Sequence, residues 1–139
     1  MTDVKFQNSF DYIILSSMYV QLTLKLFHWN ASVYSDHIVS GNLYTTLEPL
    51  IDQLEEVFVG KYRNTDKNVF LPLKSFNFSE LGSITVLDKA DLIELLGSYK
   101  EALLSMNYTY KNMVNADIVN IRDTIVAEVN RAIYLFRMQ

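Results

Sequence analysis

Apolar residues recur at helical spacing over four stretches of the chain. From Asn8 to Asn30 they fall on two stripes, Phe10, Ile13, Ser17, Val20, Leu24, Phe27 and Tyr12, Leu15, Tyr19, Leu22, Leu26, Trp29. A helix apolar on two sides is buried on more than one side, so this one is expected to serve both a core and a subunit interface. Residues 1–7 read as a short lead. A second helix is predicted from Ser35, as N-cap, to Tyr62, with Asp36 in the dipole-favoured first turn. Its packing face is Leu43, Leu47, Leu50, Ile51, Leu54 and Phe58, and Pro49 predicts a kink near Thr45–Pro49.

Asn64 to Leu87 loses the periodicity and reads as a long crossover, with a short amphipathic helix expected between Ser75 and Leu81. A third helix is predicted from Asp88 to about Met113, with Leu92, Leu95, Leu96, Tyr99, Leu103, Met106 and Tyr110 in one stripe. After a turn at Val114–Ala116, a fourth runs from Asp117 to Met138, with Ile118, Ile121, Ile125, Val129, Ala132, Ile133 and Phe136 inward. The connections are short, long, short. One long crossover suits a ferritin-like four-helix bundle, whose second and third helices run parallel. The expected fold class is therefore all-α, in a single domain over 1–139.

Composition narrows the function. The chain has 139 residues, 50% hydrophobic and 13% aromatic, with net charge −4. That apolar share hints at surface beyond the core, and the acidic balance disfavours non-specific nucleic-acid binding. The absence of cysteine removes a disulfide framework, a thiolate zinc site and a cysteine nucleophile. No basic patch precedes an apolar run at the start, and polar residues interrupt 12–29. Neither a secretory signal nor a membrane span is expected, and a cytoplasmic location is.

Candidate chemistry concentrates between Lys25 and Arg63. This segment holds both histidines, His28 and His37, the only tryptophan, Trp29, and the acidic pair Asp52 and Glu56. Imidazole and carboxylate together suit a first-row metal such as iron. Asp52 and Glu56 lie one helical turn apart on one face. His37 precedes Asp52 by fifteen residues, about 22 Å along a helix axis. No single metal can touch both from one straight helix, so a shared site requires another copy of the chain, as in a two-fold dimer. Taken singly, a histidine near a helix end is more often solvated, and an i,i+4 acidic pair is more often a solvated face.

With these residues placed, the chain resembles the Dps family of miniferritins over almost its whole length. The resemblance rests on His28-Trp29-Asn30 closing a first helix, on His37, and on Asp52 and Glu56 at the family's spacing on the next helix. The late segment EVNRAIYLF is similar to the end of the family's last helix. The family implies a homo-oligomer, a hollow dodecamer built from two-fold dimers. It implies Fe(II) as the bound metal, in a di-iron or mono-iron site, with peroxide or dioxygen as oxidant and storage of the ferric product. His28 and His37 would come from one subunit and Asp52 and Glu56 from its neighbour, with Asp52 bridging and Glu56 a terminal ligand. Trp29 would pack beside the site or act as a radical sink, and Glu55 would support the pair. Asp117 and Asp123 would line iron-entry pores.

The sequence also departs from the family. Val57 stands where arginine is frequent, Gly41 where an acidic residue is, and Pro49 lies one turn before Asp52. These motivate a rival reading, a structural or interaction protein with a weak or unused metal site. A second rival is a DNA-condensing assembly. The family's lysine-rich tail is absent, so tail-mediated DNA binding is not expected. A bundle-core di-iron site fails for want of Glu-x-x-His motifs.

Overall fold

Among the described residues, helical periodicity in the sequence is realised as four α-helices around one apolar core. The computed structural model describes residues 2–63, 81–110 and 112–138, with the side chains of 9–62 in the first stretch. The helices are α1 (Thr2–Asn30), α2 (Tyr34–Phe58), α3 (Lys89–Ser105) and α4 (Ala116–Arg137). A π-helical turn, Val59–Arg63, extends α2. Among the described residues, α1 packs on α2 and α3, and α4 packs on α2 and α3.

The core follows the predicted stripes. Phe10, Ile13, Ser17, Val20, Leu24 and Phe27 of α1 are all buried. So are Ile118, Ile121, Ile125, Val129, Ala132, Ile133 and Phe136 of α4. On α2 the predicted face is buried except for the half-buried Leu50. The second stripe of α1 is different: Tyr12, Leu22 and Trp29 are exposed, and Leu15, Tyr19 and Leu26 half-buried. One chain therefore leaves this apolar face without full cover, as an interface stripe requires.

Two stacks fix α1 against α2. Phe10 and Phe58 lie face to face with ring centroids 3.9 Å apart. His28 and His37 do the same at 3.8 Å. Since 10 pairs with 58 and 28 with 37, the two helices run antiparallel.

Several predicted boundaries are corrected. α1 begins at Thr2, so residues 2–7 are helical and not a lead. α2 starts at Tyr34 after an extended Val33, with no side-chain cap. Ser35 is thus inside the helix, while Asp36 is in the first turn as predicted. α2 carries Pro49 without interruption. The short helix predicted between Ser75 and Leu81 falls outside the described residues except at Leu81, which is a turn.

The largest correction is at the end of α3. Asp88 caps this helix, accepting a hydrogen bond from the Asp91 amide at 2.8 Å, but the helix ends at Ser105 and not near Met113. Two short strands follow, β1 (Thr109–Tyr110) and β2 (Met113–Val114), antiparallel and pairing Thr109 with Val114 and Tyr110 with Met113. Asn112 takes the left-handed conformation, φ 63°, which asparagine tolerates better than most residues. The strand pair is pinned from below. Buried Asn115 donates from Nδ2 to the Tyr108 carbonyl at 2.6 Å and accepts from the Tyr62 hydroxyl. Tyr110 still reaches the core, packing edge-on against Tyr62.

Among the described residues, no helix is long and apolar enough to cross a membrane.

Candidate metal centre

The turn between α1 and α2 spans only Ala31–Val33, so the last turn of one helix lies beside the first turn of the next. His28 and His37 meet there. Their rings stack with an interplanar angle of 17°. The His28 Nδ1 donates to the His37 backbone carbonyl at 2.7 Å, and the His37 Nδ1 donates to the His28 carbonyl at 2.9 Å. A carbonyl oxygen can only accept, so each Nδ1 must carry the proton. In the neutral form this leaves the Nε2 lone pair of each ring available, the tautomer a metal-ligating histidine adopts when its other nitrogen is held by a carbonyl.

The surroundings are built to hold that pair. Ser40, fully buried, donates to the Asp36 carbonyl at 2.8 Å and sits 3.4 Å from the His28 Nδ1. Gly41 supplies room, because a Cβ there would lie 2.7 Å from His28 Cε1 and 3.0 Å from Nδ1. Tyr44 meets the His28 ring edge-on at 5.4 Å, and Tyr34 flanks His37 at 6.3 Å. Lys89 at the start of α3 pairs with Asp36 at 3.3 Å, tying the N-terminus of α2 to the next helix. Position 41 matters here for the space it leaves to His28, a role that its lack of a carboxylate does not reveal.

A metal lies close to the plane of an imidazole that binds it, about 2.0–2.1 Å from the nitrogen. Two nearly parallel stacked rings cannot both point at one ion. As they stand they suit one ion each; a single shared ion requires one ring to turn.

Asp52 and Glu56 are elsewhere. Both are exposed on α2, and among the described residues no three His, Asp or Glu side chains of one chain converge on a common point. The structure therefore brings the two histidines together and leaves the two carboxylates apart from them. Asp52 borders a groove of about 380 Å³ between α1 and α2, with Lys25 and Leu22 on one wall and Glu48 and Glu55 on the other. Glu55 is half-buried, and burial, with a smaller contribution from Asp11, pushes its carboxyl from 4.5 up to about 7. Its Oε2 and the Gln21 Oε1 are buried without a hydrogen-bond partner, which is costly unless something else supplies a donor.

Other expected positions are corrected or qualified. Trp29 is 68% exposed, so most of its surface lies outside the core of its own chain. Asp117 accepts from Lys61 at 3.1 Å; burial opposes its ionisation, but this bond and the Ile118 amide hold its carboxyl below the ordinary value. Asp123 is paired with Arg122 at 2.7 Å. Both acids at the start of α4 are thus already met by a cation of their own chain.

Sequence reasoning does not find Ser40 or Gln21, and it singles out Gly41 only as a missing carboxylate. Ser40 follows His37 by three residues, the spacing that puts two side chains on one helix face, and that is the one signal the chain offers for it. No family model, no curated protein and no solved structure matches this chain.

Proposed function

We propose that the protein is a Dps-like miniferritin that oxidises Fe(II) at sites shared between two copies of the chain and stores the ferric product in a hollow shell. The carrying observation is the reciprocally bonded His28–His37 pair, with both Nε2 lone pairs available and, among the described residues, no carboxylate of the same chain completing the set. Nitrogen ligands are gathered at one end of the α1–α2 pair, and Asp52 and Glu56 are displayed toward the other. An antiparallel two-fold relation between copies joins them twice over. The packing of each helix on two others, and the 25-residue span 64–88 between the π turn and α3, support a ferritin-like bundle with one long crossover.

The chemistry follows from the donors. Neutral imidazole and anionic oxygen both bind Fe(II), and hard carboxylates favour the higher charge of the oxidised ion. Two Fe(II), one peroxide and two protons give two Fe(III) and two waters; dioxygen is the alternative oxidant. Asp52 and Glu56, one turn apart on α2, would hold the metal, Asp52 as the shared ligand and Glu56 as the terminal one. Dodecameric assembly, a cytoplasmic location and limitation of peroxide damage belong to the same reading. DNA condensation through a basic tail does not.

Anaerobic titration with Fe(II) followed by peroxide tests it. The expected result is stoichiometric oxidation, lost in both His37→Ala and Asp52→Ala. The exposure of Asp52 and Glu56 in a single chain favours one rival, an interaction protein whose metal site is unused. Wild-type behaviour in both variants would select that rival.

A further inference from the structure

The outer face of the α1–α2 pair is polarised along its length. Lys25 is the cation toward the turn between the helices, beside the His28–His37 pair, and the acid at that end, Asp36, is paired with Lys89. Asp11, Glu48, Asp52, Glu55 and Glu56 lie toward the other end. Between them runs the groove bordered by Leu22, which is 38% exposed. Its floor holds the two acceptors without a donor, Gln21 Oε1 and Glu55 Oε2. A surface charged in this way complements a copy of itself turned end for end, and repels one laid parallel. Among the described residues neither acceptor has a donor from its own chain, so a donor entering the groove would satisfy both.

The helix geometry sets the register. The Phe10–Phe58 stack and the His28–His37 stack mark two levels about 27–31 Å apart at about 1.5 Å per residue. Asp52 and Glu56 stand about 3–9 Å above the phenylalanine level on the same scale. A two-fold axis that puts one copy's histidines level with the other's carboxylates passes midway, near Leu22 of α1. Lys25 lies three residues, about 4.5 Å, beyond that axis toward the histidines. On the opposing copy it therefore falls about 4.5 Å on the other side, beside Met18 and between the levels of Glu48 and Asp52. Gln21 stands about 3 Å from that level and Glu55 about 9 Å, so the Lys25 stem, reaching about 6 Å, spans to Gln21 and meets the Glu55 carboxylate only with the length of the Glu55 side chain added.

We infer that the occupant of this groove is a second copy of the chain, whose Lys25 crosses the two-fold axis and donates to the Glu55 carboxylate and the Gln21 side-chain oxygen. The inference rests on the two-copy reading above and adds to it a specific contact and register. Lys25 is then the counter-charge that lets each copy's acidic end approach its partner, and the contact occurs twice per dimer. Within its own chain Lys25 lies over the Tyr44 ring, 5.7 Å from its centre, already directed to the outer face beside the groove.

Zero-length carbodiimide cross-linking of a mixture of ¹⁴N- and ¹⁵N-labelled wild-type chains tests the contact directly. A Lys25–Glu55 link joining light and heavy peptides is expected. In parallel, Lys25→Glu and Glu55→Lys are each expected to weaken self-association at least tenfold by light scattering. Mixed one to one, they should recover pairing, because every mixed dimer has two matched contacts. Wild-type chains that stay monomeric would overturn both this inference and the two-copy reading. Wild-type chains that pair, but whose Lys25–Glu55 link occurs only within one chain or not at all, overturn this inference alone. So do swap variants that pair with themselves as tightly as with each other.

Discussion

Replacing Gly41 by alanine isolates the energetics of the histidine pair. In an exposed helix interior, glycine to alanine stabilises by about 0.5–1 kcal/mol. Gly97, half-buried within α3, allows the same gain, since a Cβ there would meet nothing within 4 Å. At Gly41 the same methyl would lie 2.7 Å from His28 Cε1, so the ring must swing away. The imidazole then forfeits its Nδ1 hydrogen bond to the His37 carbonyl, worth about 0.5–1.5 kcal/mol. It also forfeits the stack on His37, worth about 0.5–1.5 kcal/mol by analogy with other ring pairs. Set against the propensity gain, the net is a loss of about 1 kcal/mol, some 2 kcal/mol below Gly97→Ala. Thermal melts followed by circular dichroism should place the two variants on opposite sides of wild type, several degrees apart. Imidazole NMR of Gly41→Ala should lose the protected His28 Nδ1 proton. A Gly41→Ala protein as stable as Gly97→Ala, with the His28 proton still protected, would refute the reasoning.

Two further perturbations probe the surroundings. Asn115→Ala removes the Nδ2 bond to the Tyr108 carbonyl, which keeps the residue 115 amide as a donor, and the Oδ1 that accepts from the Tyr62 hydroxyl, and should cost about 1–3 kcal/mol in urea unfolding; a loss below about 0.5 kcal/mol would contradict the pinned strand pair. Glu55 has its carboxyl raised by burial from 4.5 to about 7. The folded single chain therefore binds the proton more tightly than the unfolded one, and stability should fall as pH rises from 4.5 to about 7 and then level off. Discounted for partial exposure, the fall is about 1–2 kcal/mol. Glu55→Gln should abolish it, measured on dilute, dissociated protein; an unchanged slope would show that Glu55 is not its source.

Sequence pattern is most informative where burial is one-sided. α4 is apolar on one face and polar on the other, so its seven inward positions can be read from spacing alone. The end of α3 misleads because Leu103, Met106 and Tyr110 continue a helical rhythm into the strand pair. Tyr110 is buried there for another reason, its contact with Tyr62. Asn107 and Asn112 carry the contrary signal. Asn107 turns its side chain to accept from the Thr109 amide at 3.0 Å, a local bond that competes with helix. Residues 2–7 lack an apolar stripe, so nothing in them announces a helix that α1 simply propagates.

For the candidate site, the residue types are legible in the sequence and the arrangement is not. Spacing along α2 is enough to separate His37 from Asp52. It does not show that each histidine holds the other through its backbone carbonyl, because that depends on how tightly residues 31–33 turn. Nor does it show why position 41 is bare. As a missing carboxylate, Gly41 counts against the metal site; in the fold it is the space into which His28 fits.

Subunit complementation measures the central claim most directly. One chain carries His28→Ala and His37→Ala, the other Asp52→Ala and Glu56→Ala, and each alone should fail to oxidise Fe(II). Unfolded together and refolded at equal ratio, half the dimers are mixed and each mixed dimer holds one intact site of two, so about a quarter of wild-type oxidation should return. Recovery near that level is the predicted result. A mixture as inactive as its components, although mixed dimers form, would contradict a site made of nitrogen from one copy and oxygen from the other.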